Sequence, residues 1–334
     1  MLGRRAFIRK MAVISTATRI CIPATGHRAY SRWVERGKRV GIIGLDTSHS
    51  IAFTELLNAS DPNPAFQGYR VVAAYPYGSQ TVKTSVERIP AITEQMKNIG
   101  VEIVDSIAKL LRKVDVILLE TNDGRLHLQQ AKEVIQSRLP LFIDKPIAAS
   151  YADAWAIFEE SDRLDVPVFS TSSLRYALNV EQVINGEIGD VLGAETYSPA
   201  FIEPSHPDLF WYAIHGVEML FAVMGRGCES VQRLYLPDAE IVVGRWTGGR
   251  LGSFRGLRSG PAVFGGRAFG ANGVTELGTS GSYVKLLENV AQFFTTGVSP
   301  VDPDETLELV AFMEAAQQSR AKGGDAVSLA DIKG

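Results

Sequence analysis

Lys145 follows the short apolar run Leu141-Phe142-Ile143 and Asp144, and precedes Pro146, which cannot extend a hydrogen-bonded ladder. If that run is a buried parallel strand, the ammonium stands at its carboxyl end, where open α/β sheets bind ligands, and an enzyme can use a lysine there. The plainer reading is a surface lysine that ends a strand. A second group of reactive side chains lies further on. His215 and Glu218 are three apart in one apolar helical stretch, so both can face the same point. With His49 and His206 they make three histidines and a glutamate, a donor set able to hold a divalent ion. That set would suit a nucleotide-independent, metal-assisted or acid–base lyase or epimerase. Its plain counterpart is a core histidine, a loop histidine and an ordinary helix glutamate.

The elements that must position these residues alternate from Lys38 onward. Apolar runs over 39–45, 69–75, 101–104, 115–121, 141–143 and 166–171 read as strands. Helical stretches over 50–58, up to about 98, 106–114, 124–137 and 151–164 separate them. Continuous apolar strands alternating with amphipathic helices predict βαβ units and a doubly wound parallel sheet covered on both faces. After about residue 177 the rhythm changes. Runs at 191–198, 230–236, 240–246 and 250–257 follow one another with short turns, interrupted by a helix over 209–224. Helices over 282–295 and 305–321 close the chain. The expected fold class is therefore α/β followed by an α+β domain with a mainly antiparallel open sheet, and the active site is expected between the two. The expected division is a leader over 1–37, a first domain over 38–176 and a second over 177–334, with the C-terminal helix free to pack back on the first.

The leader differs in chemistry from the body. Gly3-Arg4-Arg5-Ala6-Phe7-Ile8-Arg9-Lys10, followed by a modestly apolar stretch to Ala24, resembles a twin-arginine export signal, although Arg19 interrupts the stretch. The expectation is export through the twin-arginine machinery to the periplasm, with a cytoplasmic enzyme bearing a basic tail as the alternative. That stretch is too short and too polar to span a membrane. Residues 1–37 carry eight of the 34 Lys and Arg and one of the 37 acids, leaving 26 basic against 36 acidic residues and a net charge of −10 on the body. A body this acidic is a poor partner for nucleic acid or an anionic membrane surface. With Cys21 in the leader, Cys228 has no disulfide partner in a processed chain and reads as a small core residue.

Val40-Gly41-Ile42-Ile43-Gly44 leaves the first strand where a dinucleotide fold would carry its phosphate-binding turn. The residues that follow are Leu45-Asp46-Thr47-Ser48-His49, so Asp46 and His49 stand where further glycines are expected. A carboxylate beside a pyrophosphate is repulsive. The second strand ends in Tyr75-Pro76 rather than in the acid that would hold an adenosine ribose. Either the nucleotide is held by other contacts, with the Thr47 and Ser48 hydroxyls replacing backbone amides, or the pocket has another use.

The order and spacing of Val40–Gly44, Glu120-Thr121-Asn122 with His127 and Ala131, Asp144-Lys145-Pro146, Arg175-Tyr176 and His215-Gly216-Val217-Glu218 resemble the Gfo/Idh/MocA family of oxidoreductases over residues 38–330. The resemblance implies a Rossmann domain, a C-terminal sheet that serves as an oligomer interface, and NAD- or NADP-linked chemistry on a sugar, polyol or related hydroxy compound. It implies that Lys145 hydrogen-bonds the reacting oxygen and that His215 is the general acid–base, a role suited to a group that titrates near neutral pH. It places Gly41, Ile43, Gly44, Leu45, Thr47, Ser48, Thr121, Asn122, His127, Asp144 and Lys145 around the cofactor. Arg175, Tyr176, Trp211, Tyr212, His215 and Glu218 fall on the substrate side. One departure stands out: the family's aspartate, four residues before the histidine, is Trp211 here. An indole cannot orient an imidazole as a carboxylate does, although it can stack on a sugar ring. An exported enzyme would also have to hold its cofactor tightly. A non-catalytic sugar-binding scaffold is the remaining alternative, and retention of both Lys145 and His215 argues against it.

Overall fold

The computed structural model describes residues 36–334, and the twin-arginine-like segment lies outside them. Six strands, β1 (Arg39–Ile43), β2 (Arg70–Tyr75), β3 (Glu102–Ile103), β4 (Val116–Leu119), β5 (Leu141–Asp144) and β6 (Val168–Thr171), form one sheet. Its order is β3-β2-β1-β4-β5-β6, with every pairing parallel. Helices α1 (Ser48–Leu57), α2 (Lys83–Asn98), α3 (Ile107–Leu111), α4 (His127–Gln136) and α5 (Tyr151–Leu164) make the crossovers. β4 and β5 are buried at every position, as strands covered on both faces must be, which is why β4 and the first three residues of β5 are apolar runs rather than alternating ones. The strand order reverses between β1 and β4, and such a switch point opens a crevice at the carboxyl ends.

After the short helix α6 (Val180–Ile184) the chain builds a second sheet from β7 (Val191–Pro199), β8 (Cys228–Tyr235), β9 (Ala239–Trp246), β10 (Leu251–Leu257), β11 (Gly265–Gly270), β12 (Gly273–Leu277) and β13 (Val327–Ser328). The order is β12-β11-β7-β10-β9-β8-β13. Pairings are antiparallel except β7 with β10, so the consecutive strands expected from sequence carry one parallel crossover. That crossover contains α7 (Ile214–Met224), which is buried along its whole length and lies on β7 and β10.

Two helices return to the first domain. Leu286, Leu287, Val290, Phe293 and Phe294 of α8 (Tyr283–Thr296) join the core formed by Val40, Ile42, Phe142 and Phe169. Each such side chain contributes roughly 1.5–3 kcal/mol on burial, so α8 binds the domains together. Helix α9 (Pro303–Ala321) runs between the domains, and Glu314 Oε2 accepts from the Tyr151 backbone N–H at 2.8 Å.

Three sequence expectations need correction. The strands β1 and β4 stop at Ile43 and Leu119, so Leu45, Glu120 and Thr121 belong to the loops at the crevice. The stretch 209–224 is not one α-helix: Leu209–Ala213 forms a π-turn, and α-helix begins at Ile214. Strands β11 and β12 were not expected, because glycines interrupt their alternation.

Candidate active site

A cavity of about 620 Å³ opens at the switch point and is closed from above by the second domain. On the first-domain side its wall is Thr47, Ser48 and His49 at the start of α1, Thr84 and Arg88 on α2, Asn122 after β4, and Lys145 after β5. The second domain supplies Trp211, Tyr212 and His215, with Phe201 and Phe264 beside them. The segment before α8 adds Thr279, Ser280 and Gly281, and the first residue of α8 adds Tyr283.

Lys145 and His215 thus face one space from opposite domains. Both are more than nine-tenths buried. The Lys145 Nζ lies 3.6 Å from Asp144 Oδ2, and the same oxygen lies 2.7 Å from His49 Nδ1. Burial alone would raise the Asp144 carboxyl. The His49 and Lys145 charges reverse that and hold it well below the usual range. His215 is driven well below the ordinary imidazole value by burial, with the nearby Lys145 and His49 charges adding to it. Its Nδ1 lies 2.8 Å from Ser172 Oγ, leaving Nε2 as the ring nitrogen for the cavity. Ser172, at the end of β6, therefore takes the orienting place expected of a carboxylate one turn before the histidine. Trp211 is not against His215. It packs on His206 at 5.4 Å between ring centres, while Tyr212 makes the edge contact with His215.

Several expected site residues lie elsewhere. Arg175 and Glu218 pair at 2.7 Å, Arg175 also grips Glu305 of α9, and Thr171 Oγ1 donates to Glu218, so these groups clamp β6, α7 and α9 together. Tyr176 is partly buried off the cavity wall, packed against the core of the first domain. His127 is wholly buried, with Nε2 2.6 Å from the Thr121 carbonyl and Nδ1 2.9 Å from that of Pro146. It staples the loops after β4 and β5 rather than touching a ligand. The quartet His49, His206, His215 and Glu218 is not assembled. Glu218 is committed to Arg175, and His206 lies against Trp211 with Nδ1 3.1 Å from the Pro207 carbonyl and Nε2 3.9 Å from Asp123.

The altered glycine turn is also resolved. Asp46 is fully buried and points away from the cavity, accepting from the backbone N–H of Ser79 at 2.8 Å and of Asn122 at 3.0 Å. It does not confront a phosphate, contrary to the repulsion expected from sequence. Gly44 has φ +93°, and a Cβ there would sit 2.4 Å from the Thr121 nitrogen, so this glycine lets the β1 and β4 loops close on each other. Gly41, Ile43, Leu45 and Thr121 are buried supports behind the wall. Thr47 Oγ1 caps α1, accepting from the His49 N–H, while Ser48 is exposed to the cavity.

Sequence reasoning missed Ser172, Thr84, Arg88, Tyr283 and the chemical weight of Glu120. Glu120 had a signal: like Asp144 it is an acid ending an apolar strand run. The others come from separate parts of the chain and acquire a common address only on folding.

Residues 38–172 match the family model described as the GFO_IDH_MocA oxidoreductase family with an NAD-binding Rossmann fold. Among solved structures, myo-inositol 2-dehydrogenase from Lactobacillus plantarum superposes with a TM-score of 0.70 at 16% identity, covering 87% of this chain and 98% of that one. The scyllo-inositol dehydrogenase of Lactobacillus casei, solved with bound NAD(H) and scyllo-inositol, gives 0.67 at 14% identity, with 87% and 99% coverage. At these identities the likeness establishes the fold. No curated protein sequence matches the chain.

Proposed function

Because the first domain belongs to the Gfo/Idh/MocA oxidoreductase family, we propose that the protein is an NAD(P)-dependent oxidoreductase acting on a CH–OH group of a polyol or sugar-like compound. The observation that carries the reading is Lys145 and His215 facing one cavity from opposite domains. The cavity also fits a dinucleotide by a local test. The N-terminus of α1, with Ser48 exposed and Asp46 turned inward, presents backbone N–H groups and positive dipole to it, as a pyrophosphate requires. Thr47, Ser48, Asn122 and Arg88 would hold the nucleotide.

Bound NAD(P) would supply the hydride acceptor or donor. Lys145 would bind the substrate oxygen through its ammonium and stabilise negative charge as it develops there. His215, neutral because it is buried, would take the hydroxyl proton on Nε2 during oxidation and return it during reduction, with Ser172 fixing the ring. Trp211 and Tyr212 would offer aromatic surface to the apolar face of a ring substrate. The exposed apolar residues Leu192, Leu251 and Val274 on the second sheet support a homo-oligomer through that sheet. The twin-arginine-like leader supports export to the periplasm, where a tightly held cofactor would be needed.

The test is mass spectrometry of small molecules released on denaturation, followed by titration with NAD(H) and NADP(H) and turnover on inositols and aldoses. Near one nucleotide per chain is expected. A folded protein that neither contains nor binds either nucleotide overturns the assignment. Fractionation and N-terminal sequencing of the expressed protein test export.

A further inference from the structure

The hydride-transfer reading leaves one cluster under the cavity without a task. The first turn of α1, the loop after β4 and the end of β5 bring His49, Glu120 and Asp144 to one point. One ligand atom from each lies within 4.8 Å of the other two, and this is the one such group of three among the described residues. Glu120 has no solvent exposure, and neither of its carboxylate oxygens has a hydrogen-bond partner. Asp144 Oδ1 is buried and unpartnered as well, because its contacts with His49 and Lys145 both use Oδ2. Buried polar groups in folded proteins nearly always have partners and a buried charge without one is costly, so two facing carboxyls with three idle oxygens call for something between them.

We propose that His49, Glu120 and Asp144 form a binding site for one divalent transition-metal ion, Mn²⁺ or Zn²⁺. One imidazole and two carboxylates match the donor preferences of these ions, which bind such ligands at about 2.0–2.2 Å. Two carboxylates match the charge of the dication, and the Lys145 ammonium, 3.6 Å from Asp144 Oδ2, is the neighbouring cation the site must tolerate. His49 and Lys145 reach the cavity wall, so the ion lies just beneath the space where substrate binds. A ligand set of this kind differs from the four residues that sequence spacing suggested and shares only His49 with them. The site stands independently of nucleotide binding.

The test is direct. The full chain, stripped with chelator, is titrated with MnCl₂ and with ZnCl₂ by calorimetry, and retained metal is measured by elemental analysis after desalting. The expected result is one ion per chain. Affinity is expected to fall by more than about 10-fold, the loss already typical of removing an outer partner of a ligand, in both Glu120→Gln and His49→Gln. Circular dichroism verifies folding of each variant, and His49, at the cavity edge, serves if the buried Glu120 variant does not fold. A folded wild-type protein that retains neither ion overturns the proposal, and a proton on Glu120 then fills the gap. Unweakened binding in either folded variant overturns it equally.

Discussion

Replacing Arg175 with methionine separates a structural role from a substrate-binding one. The guanidinium is about nine-tenths buried and joins Glu218 of α7 to Glu305 of α9. Its removal leaves Glu218 buried with Thr171 Oγ1 as its remaining donor, beside a second carboxylate. Breaking a buried pair by deleting one partner costs about 3–5 kcal/mol, because the other charge stays desolvated. At about 2–4 °C per kcal/mol for a protein somewhat smaller than this one, the expected loss is on the order of 10 °C in the melting midpoint. Urea unfolding of the wild type, Arg175→Met, Glu218→Gln and the double variant forms a thermodynamic cycle. The double variant is expected to recover part of the loss, since a neutral amide no longer needs the cation. Nucleotide binding should be unchanged wherever the protein is folded. An Arg175→Met protein as stable as wild type, or one of full stability that loses ligand binding, would refute the clamp and return Arg175 to the substrate site.

Lys145→Met is expected to retain NAD(P) binding but to lose turnover by about 10²-fold or more, the usual scale for removing a donor that stabilises a developing oxyanion, as read by comparing nucleotide titrations with kcat. Ser172→Ala removes one neutral hydrogen bond to His215, worth about 0.5–1.5 kcal/mol, so kcat/KM for oxidation should fall by about 2- to 13-fold. Because burial lowers the His215 value, the free base persists below the ordinary imidazole value of 6.5, and the acid limb of the wild-type rate profile should lie below that pH. A limb at or above 6.5 would contradict the neutral-base role. Asp208 tests acid stability: its carboxyl is lowered despite burial by hydrogen bonds from Arg233, with Arg320 adding charge. A depressed carboxyl stabilises the fold above its unfolded value near 3.8 and loses that contribution as pH falls further. Asp208→Asn should therefore lower the urea midpoint at pH 6 and converge with wild type toward pH 3.

The first domain was legible because its physics is local. Val116–Leu119 and Leu141–Ile143 are apolar at every position since both sheet faces are covered, and that run length is visible without tertiary knowledge. The second sheet was half legible. β7 to β10 alternate or run apolar, but Gly265, Gly266 and Gly270 break β11, and two of these permit close approach rather than marking a turn. A Cβ on Gly266 would sit 2.5 Å from the Glu195 carbonyl oxygen, and one on Gly270 would sit 2.2 Å from that of Ile188. Glycine selected for backbone approach reads from sequence as a loop. The π-turn at Leu209–Ala213 was hidden for a different reason. Its apolar composition suits any buried helix, and the extra residue per turn shifts which side chain stands one turn before His215.

That shift bears on why the two proposed reacting groups could be read from sequence and their support could not. Lys145 sits at a recognisable boundary, a strand end before proline, and His215 stands in an apolar helical stretch at the place the family resemblance gives it. Their partners have no such marker. Ser172 reaches His215 across 43 positions, and His49 reaches Asp144 across 95, so no spacing rule links them. An aspartate is unnecessary beside His215 because the β6 loop already supplies a hydroxyl there, and Trp211 is thereby released to face the cavity. The same reasoning reverses the reading of Asp46. Judged by position it was a carboxylate against a phosphate, but two backbone N–H groups from separate loops draw it inward and join the β2 and β4 loops through it. Asp46→Gly would restore the expected glycine pattern and is nevertheless expected to loosen both loops and weaken nucleotide binding. Tighter NAD(P) binding by Asp46→Gly, with unchanged stability, would show that the carboxylate obstructs the nucleotide after all.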